Sequence, residues 1–119
     1  MSKKKISIVS PCYNEEDNVG ICYETIKSLF DNELTDYNYE HIFADNDSRD
    51  TTVNVLKSIS KADSNVKVVV NARNYGPFRS TFNALRYASG DAVLVMLPVD
   101  LQDPPELIIE MVDKWLAGV

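Results

Sequence analysis

Along the chain, short runs of apolar, β-branched residues alternate with stretches whose apolar positions recur every three or four residues. Ile6 to Ser10 reads as a strand, with Pro11 as its stop. From Asn18 to Phe30 the apolar residues Val19, Ile21, Cys22, Ile26, Leu29 and Phe30 fall at mostly helical spacing. Tyr39 to Ala44 is a second strand, followed by a polar turn from Asp45 to Asp50 and by Val53, Leu56 and Ile59 at helical intervals. Val66 to Val70 is a third strand and Phe78 to Ala88 a third helical stretch. Ala92 to Leu97 is the most apolar strand, and a last helix carries Leu107, Ile108, Met111, Val112 and Trp115. Asp103, Pro104 and Glu106 supply that helix with a cap, a first-turn proline and the acid of a capping box. Strands separated by helices imply parallel pairing through right-handed crossovers, hence a three-layer α/β domain with a mainly parallel sheet. The strands Val66–Val70 and Ala92–Leu97 are apolar enough to be expected under cover on both faces.

That architecture points to one edge. In open α/β sheets ligands sit at the carboxyl ends of the strands. Those ends are Pro11–Glu16, Asp45–Asp50, Asn71–Gly76 and Pro98–Asp103, where the polar and special-geometry residues gather. Asn14 to Asp17 suit a helix N-terminus. Functionally, Tyr13 offers a flat face and a hydroxyl to a nucleobase, and Glu15 accepts hydrogen bonds. Asp47, Ser48 and Asp50 suit a turn and cap, whereas Asp45, a carboxylate at the end of a buried strand, is placed to accept the N–H of a base. Gly76 permits a tight turn into the next helix. Arg73 suits either a phosphate or a neighbouring acid, and spacing does not choose between them. Asp100 and Gln102 lie two apart, so in an extended segment they face one spot and can hold Mg²⁺ or Mn²⁺ against a diphosphate. Asp103 is better read as the helix cap than as a third ligand.

The 119 residues suit a single domain spanning 1–119, with 45% hydrophobic and 25% charged residues. The formal net charge of −6 argues against a nucleic-acid partner. The one basic run, Lys3 to Lys5, reads as a solvated tail. Cys12 and Cys22 match no zinc or redox spacing and are expected as reduced, buried thiols of a cytoplasmic protein. No apolar run reaches the ~20 residues that span a bilayer. The four glycines, at 20, 76, 90 and 118, fit neither the dinucleotide-binding fingerprint nor a P-loop. The first and third strand ends, Ser10-Pro11-Cys12 and Asn71-Ala72-Arg73, lack the acids of a phospho-receiver domain.

The segments SPCYNEEDNV, FADNDSRDTT, NARNYGPFRSTFNALRYASGD and VDLQDPPELI, in this order, resemble glycosyltransferase family two. They are most similar to its polyprenyl-phosphate sugar transferases. The resemblance implies a Rossmann-like GT-A fold cut off after its nucleotide-sugar-binding half, with the acceptor-binding part absent. It implies inverting transfer from a UDP- or GDP-sugar to a polyprenyl phosphate or glycan acceptor, by a parent enzyme at the cytosolic face of a membrane. It places Pro11, Tyr13, Glu15 and Asp45 at the donor nucleoside, and Asp100 and Gln102 at a Mg or Mn ion and the diphosphate. Two departures stand out. Pro98 replaces the first acid of the usual Asp-x-Asp pair, which weakens the metal site, and Asp45-Asn46-Asp47-Ser48 replaces the usual Asp-Asp-Gly-Ser. The family's catalytic base lies farther downstream, so none is named. The isolated chain is expected to bind donor without transferring sugar, and to self-associate through apolar surface around Leu97, Met111 and Trp115. The alternative is a non-catalytic nucleotide-binding or interaction module of the same fold.

Overall fold

The computed structural model describes residues 3–74, 76–95, 106–116 and 118. The elements alternate: β1 (Lys5–Cys12), α1 (Val19–Asn32), β2 (Asn38–Asp45), α2 (Thr52–Ala62), β3 (Val66–Val70), α3 (Gly76–Leu85), β4 (Ala92–Val95) and α4 (Glu106–Leu116). The strands form one parallel sheet in the order β3-β2-β1-β4. The chain first winds outward from β1 to β3, then returns across the sheet to place β4 on the other side of β1. The winding therefore reverses between β1 and β4, the crevice where open α/β sheets take their ligands.

Alternation along the strands builds two cores. Ile6, Ile8 and Cys12 of β1 and Tyr39 and Phe43 of β2 face α1, α2 and α4, meeting Val19, Ile26, Phe30, Leu56, Ile108 and Val112. Val9, Ile42 and Ala44 face the opposite way, onto Ala84 of α3. Each fully buried Ile or Phe contributes roughly 1.5–3 kcal/mol. Val19, Cys22, Ile26, Leu29 and Phe30 form the buried face of α1, whereas Ile21, counted with them by spacing, lies off that face and is 61% exposed.

The structure corrects the sequence reading in three places. Pro11 does not stop β1; it lies inside the strand, in register with Ala44. The carbonyl of Cys12 takes the Asn46 N–H from the β2 side, so by strand alternation the Pro11 nitrogen points toward the β4 side. The described pairs on that side end at Val9 with Val95, and the missing donor breaks no ladder there. The strands expected to be covered on both faces are the two edges: Val70, Val93 and Val95 are 50%, 39% and 48% exposed. The fully covered strands are β1 and β2, apart from the ends Lys5 and Asn38. The third helix runs earlier than its periodicity suggests, from Gly76 to Leu85. The strand end from Met96 to Leu97 and the cap at Asp103 lie outside the described residues.

One corner of the sheet closes by close approach. The Gly90 N–H donates to Ser7 Oγ at 2.9 Å, and a Cβ on Gly90 would stand 2.6 Å from that oxygen and 2.7 Å from the Ser7 nitrogen. Beside it the Glu40 carboxylate, 2% exposed, accepts from Lys67 Nζ, Ser7 Oγ and the Ser89 N–H at 2.6, 2.5 and 2.6 Å. Lys5 Nζ adds a second cation at 3.6 Å.

Candidate functional site

At the opposite, carboxyl edge, the first two strand ends are tied into one surface. Leaving β1, the chain turns through Asn14 in the left-handed region, φ 51°. The Asn14 N–H donates to Ser48 Oγ at 2.9 Å, and Asn14 Oδ1 accepts the Arg49 N–H at 2.8 Å. The Glu15 N–H donates to Thr52 Oγ1 at 3.0 Å, and Glu16 Oε2 accepts both the N–H and the hydroxyl of Thr51. Reciprocal bonds of this kind leave neither loop able to move without the other.

Asp45, fully buried at the end of β2, is gripped from within its own turn: Ser48 donates its N–H to Oδ2 at 2.9 Å and its hydroxyl to Oδ1. The Cys12 thiol lies 3.9 Å from Oδ1. The turn needs a left-handed residue, and Asp47 supplies it with φ 63°. The resemblance places glycine at this position, and an aspartate is among the side chains that tolerate the conformation. Asp50, one residue before the N-cap Thr51, takes the Thr52 N–H at 2.9 Å and so satisfies the first free donor of α2. Burial opposes charge on Asp50, but the bonds from Thr52 outweigh it and hold the carboxyl below its usual range.

The third strand end joins through amides. The Asn71 N–H donates to the Asp45 carbonyl at 2.8 Å, and Asn46 Nδ2 donates to Asn74 Oδ1 at 2.7 Å. Asn74 Oδ1 also accepts the Gly76 N–H at 2.8 Å, and Gly76 turns into α3 with φ 81°, the tight turn its sequence context predicts.

The expected donor residues therefore share an edge. Pro11 is buried at the end of β1, Tyr13 is 43% exposed beyond it, and Glu15 is half-buried with Oε2 accepting from Asn18 Nδ2 at 2.8 Å. Asp45 belongs to the turn packed against them. Pro98, Asp100, Gln102 and Asp103 lie outside the described residues. Among the described residues no group of three or more His, Cys, Asp or Glu is placed to hold a metal. Glu15, Glu16, Asp17, Asp47 and Asp50 crowd this edge with negative charge, offset by Arg49 beside Asp47 at 3.6 Å.

Both cysteines are free and buried, as their context predicts. Burial pushes the Cys12 thiol well up, reinforced by Asp45, and the Cys22 thiol up to about 12. Sequence reasoning missed the loop-to-loop bonds of Asn14, Glu16 and Ser48. It also missed the buried core group in which His41 Nε2 meets Ser10 Oγ at 2.9 Å and lies 3.8 Å from Cys22 Sγ. The repetition of Asn at 14, 46, 71 and 74 in the turn segments was the one signal available for the former.

Comparison with known proteins places these features. Residues 7–119 match the family model described as Glycosyl transferase family 2. The chain is 40% identical over 112 residues to the uncharacterized glycosyltransferase YkcC of Bacillus subtilis, covering 94% of this chain and 34% of that protein. It is 38% identical over 114 residues to the bactoprenol glucosyl transferase of Shigella phage SfV, covering 96% of this chain and 36% of that protein. It thus spans about a third of the length of these curated relatives. In fold it is similar to a mannosyltransferase of Pyrobaculum calidifontis solved with GDP-Man and Mn²⁺, with TM-score 0.66 and 18% identity over 83% of this chain and 28% of that one. With four ordered motifs, a parallel sheet of this order and a family model matched over nearly its whole length, the chain belongs to glycosyl transferase family 2.

Proposed function

We propose that residues 1–119 form the donor-nucleotide half of an inverting glycosyltransferase, whose acceptor-binding part belongs to a longer protein. The observation that carries this reading is the single stitched surface made by Tyr13, Glu15 and the Asp45 turn, beside the point where the winding of the sheet reverses. A nucleoside diphosphate fits its chemistry: Tyr13 offers a ring face and the Glu15 carboxylate accepts N–H or ribose hydroxyl donors, while Asp45, buried with both oxygens bound by Ser48, would reach a donor only by exchanging those bonds. The same edge is acidic, so a diphosphate there needs a cation between the two negative groups. Asp100 and Gln102 are the residues to hold it, and a bound divalent ion would stabilise charge on the departing diphosphate.

The donor is a UDP- or GDP-sugar and the acceptor a polyprenyl phosphate or glycan hydroxyl. Similar proteins support both parts: one is a bactoprenol glucosyl transferase and one was solved with GDP-Man and Mn²⁺. Attack from the face opposite the diphosphate inverts the anomeric centre. Among the described residues no helix is long and apolar enough to cross a membrane, and we place the site on the cytosolic side. Of Leu97, Met111 and Trp115, the residues through which the isolated chain would self-associate, Met111 is 43% exposed and Trp115 packs partly buried against the core, while Leu97 lies outside the described residues. A non-catalytic nucleotide-binding module is the second reading, favoured by Pro98 where the family carries an acid.

Calorimetric titration with UDP, GDP and their sugars, with and without Mn²⁺, tests the proposal. Saturable binding that strengthens with Mn²⁺ is expected, and Pro98→Asp should strengthen the metal effect by adding a hard oxygen ligand. No binding at millimolar nucleotide overturns the donor site; binding indifferent to Mn²⁺ in both forms overturns the assignment of Asp100 and Gln102.

A further inference from the structure

A chain of amides runs through the interior of the candidate edge, and its hub is Asn71, 4% exposed at the end of β3. Asn71 Nδ2 donates to Asn46 Oδ1 at 3.3 Å and to Ser80 Oγ at 3.0 Å. Asn71 Oδ1 accepts from Asn83 Nδ2 at 2.9 Å. Its backbone N–H holds the Asp45 carbonyl at 2.8 Å. One residue therefore grips the Asp45 turn twice and α3 twice.

The direction of every bond in this chain is set at one end. The Gly76 N–H is a backbone donor and cannot invert, so Asn74 must present its oxygen to it. That oxygen also receives Asn46 Nδ2, which leaves Asn46 Oδ1 facing Asn71. Asn71 must then offer its nitrogen to Asn46 and its oxygen to Asn83. An amide is the side chain that supplies a donor on one side and an acceptor on the other in this space. Leucine matches its size but makes neither bond, and aspartate presents an acceptor where a donor is required.

We infer that Asn71 is a positioning residue for the donor site: through Asn46 it fixes where the Asp45–Ser48 turn stands relative to α3. The inference rests on the nucleotide-binding reading above. Asn71 does not touch the proposed nucleotide surface; it acts through the turn, so its removal should loosen nucleotide binding beyond what lost stability explains.

The test is nucleotide affinity of the intact protein at its full natural length, titrated with UDP and GDP well below the melting temperature. Asn71→Leu and Asn71→Asp should weaken the preferred nucleotide about tenfold at unchanged stoichiometry, the effect of roughly one misplaced hydrogen bond. Glu40→Gln, at the opposite end of the sheet, is the control: it lowers stability and should leave the Kd unchanged. Asn71 variants that bind within about twofold of wild type overturn the inference, as does a Glu40→Gln Kd that shifts equally. Should the Asn71 variants not fold, Asn83→Ala, which removes a single bond at the half-buried end of the chain, decides: a Kd weakened about threefold supports the inference and an unchanged one overturns it. A wild-type protein that binds neither nucleotide overturns the donor reading and this inference with it, a result distinct from tight binding that ignores Asn71.

Discussion

Glu40→Gln is expected to destabilise the fold by about 2–3 kcal/mol at pH 7, with a pH signature that identifies the cause. Burial alone would raise the Glu40 carboxyl, but hydrogen bonds from Lys67, Ser7 and the Ser89 N–H, with the charge of Lys67, bring it from an ordinary 4.5 down to about 2. A difference of that size between folded and unfolded chains is worth ~3 kcal/mol. The outer position of Lys67 and the bonds a glutamine keeps reduce the expected loss. Because the folded value lies below the unfolded one, the stabilisation is fully present above pH 4.5 and is lost as pH falls from 4.5 toward 2. His41 acts in a different window. Burial pushes its imidazole from 6.5 down to about 3, so the folded chain keeps it neutral while the unfolded chain takes a proton below 6.5. Acid therefore weakens the fold first through His41, between 6.5 and 4.5, and then through both groups. Urea denaturation followed by the single tryptophan, Trp115, at steps from pH 7 to pH 3 separates them. Glu40→Gln should flatten the limb below 4.5 and leave the limb above it intact. A loss under ~1 kcal/mol at pH 7 with an unchanged acid limb would refute the buried ionic network as a source of stability.

Three further outcomes follow from particular contacts. Gly90→Ala should cost about 1–3 kcal/mol or prevent folding, since its Cβ would meet Ser7 and Lys5 backbone atoms at 2.7 and 2.9 Å; a melting temperature equal to wild type would contradict that close approach. Asp47→Gly should be neutral or stabilising by up to ~0.5 kcal/mol, because relief of the left-handed φ is offset by glycine's extra chain entropy. A loss above ~1 kcal/mol in the same urea experiment would mean that Asp47 makes a contact beyond its exposed pairing with Arg49. His41→Gln should remove the stability change between pH 6.5 and 4.5; if that limb persists, some other group titrates there.

Element types were legible in the sequence because period is a local property. A strand alternates faces every residue and a helix every three or four, so the apolar stripe of α1 and the runs of β1 to β4 announce themselves. The candidate edge was legible for the same reason: once strands alternate with helices, Tyr13, Glu15 and Asp45 must fall at carboxyl ends. Lateral position was not. Val66–Val70 and Ala92–Val95 are more apolar than β2, yet they are the edges, while β2, carrying Glu40 and His41, is central. A charged residue in the sequence does not reveal that Lys67 and Ser7 will arrive from other strands to satisfy it; only the pairing of the sheet decides that. Pro11 likewise reads as a strand stop until the register shows that its missing donor faces the side where no described pair requires one. The amide chain from Gly76 to Asn83 is the clearest case. Each asparagine alone reads as a turn residue; the Gly76 bond that orients Asn74 is local, but only tertiary folding brings Asn46 Nδ2 within 2.7 Å of Asn74 and so passes that orientation on to Asn71.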